Sequence, residues 1–221
     1  MYVHRVCLLL ALFGLIQGTA QTPKPIEVAP GVTLPSSGEE TVFALDQTAA
    51  EPSLVHIRPH EVYVNTHAGS NFLRAQVFAG PQAGVELHGP HADIVLLSTG
   101  AVFFVRAPGD EAGLISSRLH LVWLDPNKKT REVASFSANV FGGQHRRYVI
   151  QVPTTTEKIE GTDWIKITPT APLLPGEFAI VSLPADANQM PGWAYDFGIA
   201  GKVKPGADAP YTVTTDAPVK H

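Results

Sequence analysis

The chain predicts an all-β fold, a sandwich or a barrel, and three observations predict it. Apolar residues come in short runs bounded by turn residues. No stretch keeps a 3.6-residue apolar period over a dozen residues, as an amphipathic helix would. The 19 glycines and 19 prolines recur too often for long helices.

The elements follow in chain order. Residues 1–20 read as a secretory signal peptide. His4 and Arg5 open it, an apolar run spans Cys7 to Ile16, and Gly18-Thr19-Ala20 ends it with small residues before Gln21. The run is too short to cross a bilayer, which needs about 20 residues. Residues 21–53, with Pro23, Pro25, Pro30, Pro35 and Pro52, read as an extended, disordered linker. Thr41–Leu45 can add one strand at its end. Residues 54–200 hold the domain. Within it, Glu61–Asn65 alternates, and Phe72–Phe78 is apolar with polar interruptions. Val85–His88 precedes Gly89-Pro90. Ile94–Leu97 and Val102–Val105 flank Ser98-Thr99-Gly100 as a hairpin. Leu119–Leu124 and Thr130–Phe136 flank Asp125-Pro126-Asn127-Lys128-Lys129 as a second. Tyr148, Ile150 and Val152 form an apolar face opposite Arg147, Val149 and Gln151. Trp164–Ile167, Phe178–Leu183 and Trp193–Ile199 complete the series. Residues 201–221, rich in proline and small residues, read as a flexible tail.

Pro172-Leu173-Leu174-Pro175-Gly176-Glu177-Phe178-Ala179-Ile180-Val181 resembles the Leu-x-Pro-Gly-x-x-Tyr corner of fibronectin type III and related immunoglobulin-like sandwiches. Proline presets φ and glycine permits a positive one, which makes a tight turn. Leu174 is placed to plug the core end. Phe178, Ile180 and Ser182 point one way, and Ala179, Val181 and Leu183 the other. The spacing is one residue shorter than in that family. Phe178 replaces the tyrosine and lacks the hydroxyl that a tyrosine corner uses. The resemblance implies a single immunoglobulin-like β-sandwich. With its Pro-rich leader and Tyr195-Asp196-Phe197-Gly198, the chain also looks like exported bacterial proteins of unknown function, a resemblance that implies no activity.

Charge and cysteine content narrow the function classes. The chain carries 16 basic and 20 acidic residues. Removing residues 1–20 takes Arg5 and no acid, leaving 15 against 20 and a net charge of −5. That acidity gives no general attraction to nucleic acid or anionic lipid. Cys7 is the one cysteine and leaves with the signal peptide, so a disulfide framework is excluded. None of Asn65, Asn71, Asn127, Asn139 and Asn188 begins a glycosylation sequon. Both absences point toward a bacterial exported protein.

Chemical motifs are sparse. Eight histidines follow the signal peptide. His88-Gly89-Pro90-His91 is the tightest pair, within turn distance of about 7 Å. Two imidazoles make an incomplete zinc site, which needs three or four protein ligands. His56 and His60 would lie roughly 13 Å apart on extended chain. His60-Glu61 lacks the second histidine of the zinc-protease helix. Gly-x-Ser-x-Gly, Gly-x-Gly-x-x-Gly and the P-loop are missing, and Ala68-Gly69-Ser70-Asn71 reads as a turn. Asp93, Asp110, Glu111, Asp163 and Glu177 show no pairing by spacing. His145-Arg146-Arg147 is a small basic cluster at a strand start. Trp193, Tyr195 and Phe197 share one strand face, which is core if buried and a stacking platform if exposed.

The reading is an exported, periplasmic or extracellular protein without catalytic residues, metal or cofactor. Its role is interaction or structure in the bacterial envelope, with an envelope protein or polysaccharide as partner. Three rivals have distinct signatures. A carbohydrate-binding module needs Trp193, Tyr195 or Trp164 exposed. A hydrolase needs a pocket with close carboxylates or a His–Asp pair. A periplasmic metal-binding protein needs three or more converging histidines.

Overall fold

A computed structural model describes residues 25–36, 41–47, 51–66, 82–107, 117–137, 146–186, 189–201, 211 and 213–216. Residues 1–20, read as a signal peptide, the run 72–78 and residues 68–71, read as a turn, lie outside them, as do His67, Asp110, Glu111 and His145. The fold is all-β, as the short apolar runs predict. It contains more sheets than a single immunoglobulin-like sandwich.

Seventeen strands are described: β1 Ile26–Ala29, β2 Val32–Leu34, β3 Val42–Asp46, β4 Ser53–His56, β5 Pro59–Glu61, β6 Tyr63–Asn65, β7 Gln82–His88, β8 Val95–Leu96, β9 Val102–Arg106, β10 Leu119–Pro126, β11 Thr130–Ser137, β12 Arg146–Gln151, β13 Thr154–Lys158, β14 Trp164–Pro169, β15 Gly176–Ser182, β16 Trp193–Ile199 and β17 Val213–Asp216. They form a two-stranded hairpin β1-β2, a five-stranded sheet β13-β14-β9-β3-β4, and a ten-stranded sheet. The large sheet runs β5-β16-β15-β10-β12-β11-β7-β6, with β8 on β16 and β17 on β12. Its end strands β5 and β6 are consecutive in the chain, separated by Val62 alone. The sheet therefore curls until its two ends meet, which makes it a nearly closed barrel.

Strand β15 belongs to two cores, and its sequence shows why. Phe178 and Ile180 pack with Phe103, Val105, Ile165 and Ile167 of the five-stranded sheet. Ala179 and Val181 pack into the barrel with Val85, Leu87, Val133 and Phe136. A strand covered on both faces reads as a continuous apolar run, which is what Phe178–Val181 is. Large side chains fill the sandwich side and smaller ones the barrel side.

Several expectations need correction. The linker of residues 21–53 contains structure. β1 and β2 cover the outer face of the five-stranded sheet, packing on Phe43, Leu45, Phe104 and Trp164. β3, the strand expected over Thr41–Leu45, does form and is buried along its whole length between β4 and β9. Prolines beside β1 and β2 disguise them, because these strands are only three or four residues long. The tail likewise holds β17, paired with β12. Ile94–Leu97 and Val102–Val105 make no hairpin. β8 joins β16 in parallel, whereas β9 lies between β14 and β3. Buried Asp46 fastens this crossing by accepting the Leu97 and Ser98 N–H groups, each at 2.9 Å. The second hairpin does form: Asp125 pairs with Glu132 and Pro126 with Arg131. On β12 both faces are covered: Arg147 and Val149 are buried on one, and on the expected face Val152, just past the strand, is buried and Ile150 packs on the core, with Tyr148 half-buried.

At the Pro175-Gly176 turn the leucines exchange the expected roles. Leu173 is buried and Leu174 is 48% exposed. The Leu173 N–H donates to the Thr99 carbonyl at 2.7 Å, which draws its side chain inward. Gly176 is required for a steric reason that spacing cannot show. Its φ is +154°, and a Cβ there would overlap the Trp123 indole.

Candidate functional site

The site is built around one buried cation. Arg131 stands at the start of β11, just past the hairpin turn, where its side chain enters the barrel end. Its Nη1 donates to Asp196 Oδ2 on β16 at 2.5 Å and to Glu177 Oε2 on β15 at 3.5 Å. Its Nε donates to the Gly89 carbonyl at 3.1 Å and its Nη2 to the His88 carbonyl at 3.0 Å. Four bonds thus hold the guanidinium, whose side chain is only 4% exposed. A buried charge is tolerated when it is paired and hydrogen-bonded in this way.

Two histidines close on the same carboxylates from the solvent side. His60, on β5, places Nδ1 2.5 Å from Asp196 Oδ1. Its side chain is 44% exposed while that of Asp196 is wholly buried. His91, in the turn after β7, places Nδ1 3.1 Å from Glu177 Oε1. The Ala92 N–H donates to Glu177 Oε2 at 2.8 Å, tying that turn to β15. Gly89 sits at φ +79°, and its N–H donates to the Lys129 carbonyl at 2.9 Å.

The Nδ1 contacts favour one tautomer of each ring. Both carboxylates accept from Arg131, and an ionised carboxylate only accepts. A histidine that donates to such a carboxylate from Nδ1 keeps a lone pair on Nε2 when the ring is neutral.

His60, Glu61, His88, Gly89, His91, Asp93, Arg131 and Asp196 surround a cleft of about 500 Å³. His88 is held differently from His91: its ring stacks on Tyr63 at 4.2 Å between centroids. Tyr63 donates its hydroxyl to buried Glu86 at 2.9 Å, and Asn65 Nδ2 donates to the same carboxylate at 3.0 Å. Burial, then the Glu86 hydrogen bond and the Glu86 charge, push the Tyr63 phenol above its usual value.

The residues singled out by sequence divide among different places. His88 and His91 reach one cleft together with His60. Among the described residues, no three His, Cys, Asp or Glu side chains are grouped closely enough to hold a metal ion. His56 lies against Phe43 in the other sheet, ring centroids 5.2 Å apart. Trp193 is 55% exposed, Tyr195 is half-buried with its hydroxyl 3.0 Å from Thr41 Oγ1, and Phe197 is fully buried. Trp164 is buried. Sequence reasoning passed over Arg131 and Asp196. Their signal was a lone carboxylate inside the apolar run Trp193–Ile199 and a lone arginine at the hairpin exit. Glu177 was noted without a partner because its partners lie 46 and 86 positions away. No helix among the described residues is long and apolar enough to cross a membrane. Against known proteins the chain matches no family model, no curated protein and no solved structure.

Proposed function

We propose that this is an exported, non-catalytic protein of the bacterial envelope that works by binding, and that the cleft between His60 and His91 is where it binds. The observation that carries the reading is the fixed wall of that cleft. Arg131, Asp196 and Glu177 hold both imidazoles from behind, so the site is organised before a ligand arrives. Residues 1–20 support export. The five-stranded sheet facing β10, β15 and β16 supports an immunoglobulin-like sandwich as one half of the fold. Exposed Trp193 supports an envelope protein or polysaccharide as partner.

Fractionating bacteria that express the full chain, with intact-mass measurement, tests export. A species beginning near Gln21 in the periplasm or medium is expected. Soluble protein that retains residues 1–20 would contradict it.

A hydrolase is the second reading, favoured by the His60–Asp196 pair, since a histidine held by a buried aspartate is a general-base arrangement. Incubation with model esters and glycosides separates the two. The binding reading expects no turnover beyond free imidazole at equal concentration. Turnover abolished by His60→Ala would establish the hydrolase.

A further inference from the structure

The hydrogen-bonding capacity of the cleft is one-sided. Arg131 spends four bonds on Asp196, Glu177 and the carbonyls of His88 and Gly89. His60 and His91 spend their Nδ1–H groups on Asp196 and Glu177. Most donors of these three side chains are thus taken up by the protein wall. What is left for the cleft is acceptors: the Nε2 of each imidazole when the ring is neutral, and the exposed carboxylates of Glu61 and Asp93, all four residues lining it. Among the charged lining residues, Glu61, Asp93 and Asp196 stand against Arg131 alone, so the wall is net negative. A ligand that satisfies such a wall must bring donors and positive charge.

We propose that the cleft binds an organic cation, an ammonium or guanidinium group, with His60 Nε2 and His91 Nε2 accepting its N–H donors and Glu61 and Asp93 balancing its charge. The volume of about 500 Å³ suits a small molecule or one long basic side chain. A metal ion meets the same acceptors less well, because no three ligating side chains are grouped to hold one among the described residues. The inference rests on the reading that this cleft is the binding site. It adds the chemical class of the ligand.

Calorimetric titration of the exported protein with agmatine tests the inference, because agmatine carries one ammonium and one guanidinium group. A lysine-containing tripeptide amide, acetate, a neutral disaccharide and zinc serve as comparisons. Saturable one-to-one binding of agmatine or the peptide is expected, and which of them binds more tightly distinguishes a free amine from a protein side chain. Affinity should fall about tenfold or more in His91→Ala and in the Glu61→Gln, Asp93→Asn double variant. All three positions are exposed, so these proteins should keep their fold. Binding of acetate or the disaccharide, lost in His91→Ala, would overturn the cationic class while keeping the cleft as the site. Stoichiometric zinc binding lost in the same variant would replace it with a metal site. Binding of no probe would overturn the inference, and agmatine binding unchanged in both variants would overturn the cleft reading as well.

Discussion

Arg131 and Asp196 lie 65 positions apart in the chain and meet at 2.5 Å inside the barrel end, with side chains 4% and 0% exposed. This contact joins β11 to β16, strands that are not neighbours in the sheet. It bridges the barrel interior rather than extending a ladder.

Removing both partners should therefore cost less than the sum of removing each alone. Arg131→Met leaves Asp196 and Glu177 buried without their cation, and we expect a loss of about 3–5 kcal/mol in a denaturant melt. Arg131→Met with Asp196→Leu should cost clearly less than the sum of the two single changes. Simple additivity would mean that the pair does not interact as described.

The Pro175-Gly176 turn gives a prediction that separates two adjacent leucines. Leu173→Ala should cost about 2–5 kcal/mol, as for other buried leucines. Leu174→Ala should stay within about 0.5 kcal/mol, as for exposed positions. Equal losses would show that the turn is packed differently.

Trp123 and Gly176 make a second, steric test in the same turn. Gly176→Ala should destabilise, and pairing it with Trp123→Leu should recover part of the loss, because the overlap is with the indole ring. No recovery would place the strain in the backbone instead. Phe178→Ala, which empties a fully buried site against Phe197 and Trp123, should cost about 3–5 kcal/mol.

Tyr63 supplies the pH prediction. Its phenol is raised above its ordinary value of 10.0, so the folded state holds that proton longer than the unfolded state. Stability from this group is complete below pH 10 and falls as pH rises above 10 toward the folded value. Spectrophotometric titration should show a late-ionising tyrosine that disappears in Tyr63→Phe. If the variant leaves the titration curve unchanged, the hydrogen bond to Glu86 is not formed.

How much of this was legible depends on sequence distance. Trp193–Ile199 and Phe178–Val181 declare themselves as strands because each pairing face is apolar. The β10–β11 hairpin is readable because its turn residues lie between its arms. β1 and β2 are obscured by prolines that end short strands rather than prevent them, whereas β3 shows itself at Thr41–Leu45. The Ile94–Val105 segment misleads because Ser98-Thr99-Gly100 has hairpin composition, while Asp46, about fifty positions earlier, turns it into a crossing between sheets. The cleft is the least legible part. His88 and His91 mark one wall, but their fate is set by Tyr63 and Glu177, and no local pattern links these to Arg131.

The central claim is that buried carboxylates hold His60 and His91 in one tautomer and turn both Nε2 atoms toward a ligand. Long-range proton–nitrogen NMR of the imidazole rings measures this directly, at a pH where they are neutral. We predict that His60 and His91 carry their proton on Nδ1, with a bare Nε2 that shifts when agmatine is added. Protonation on Nε2 in either ring would contradict the account.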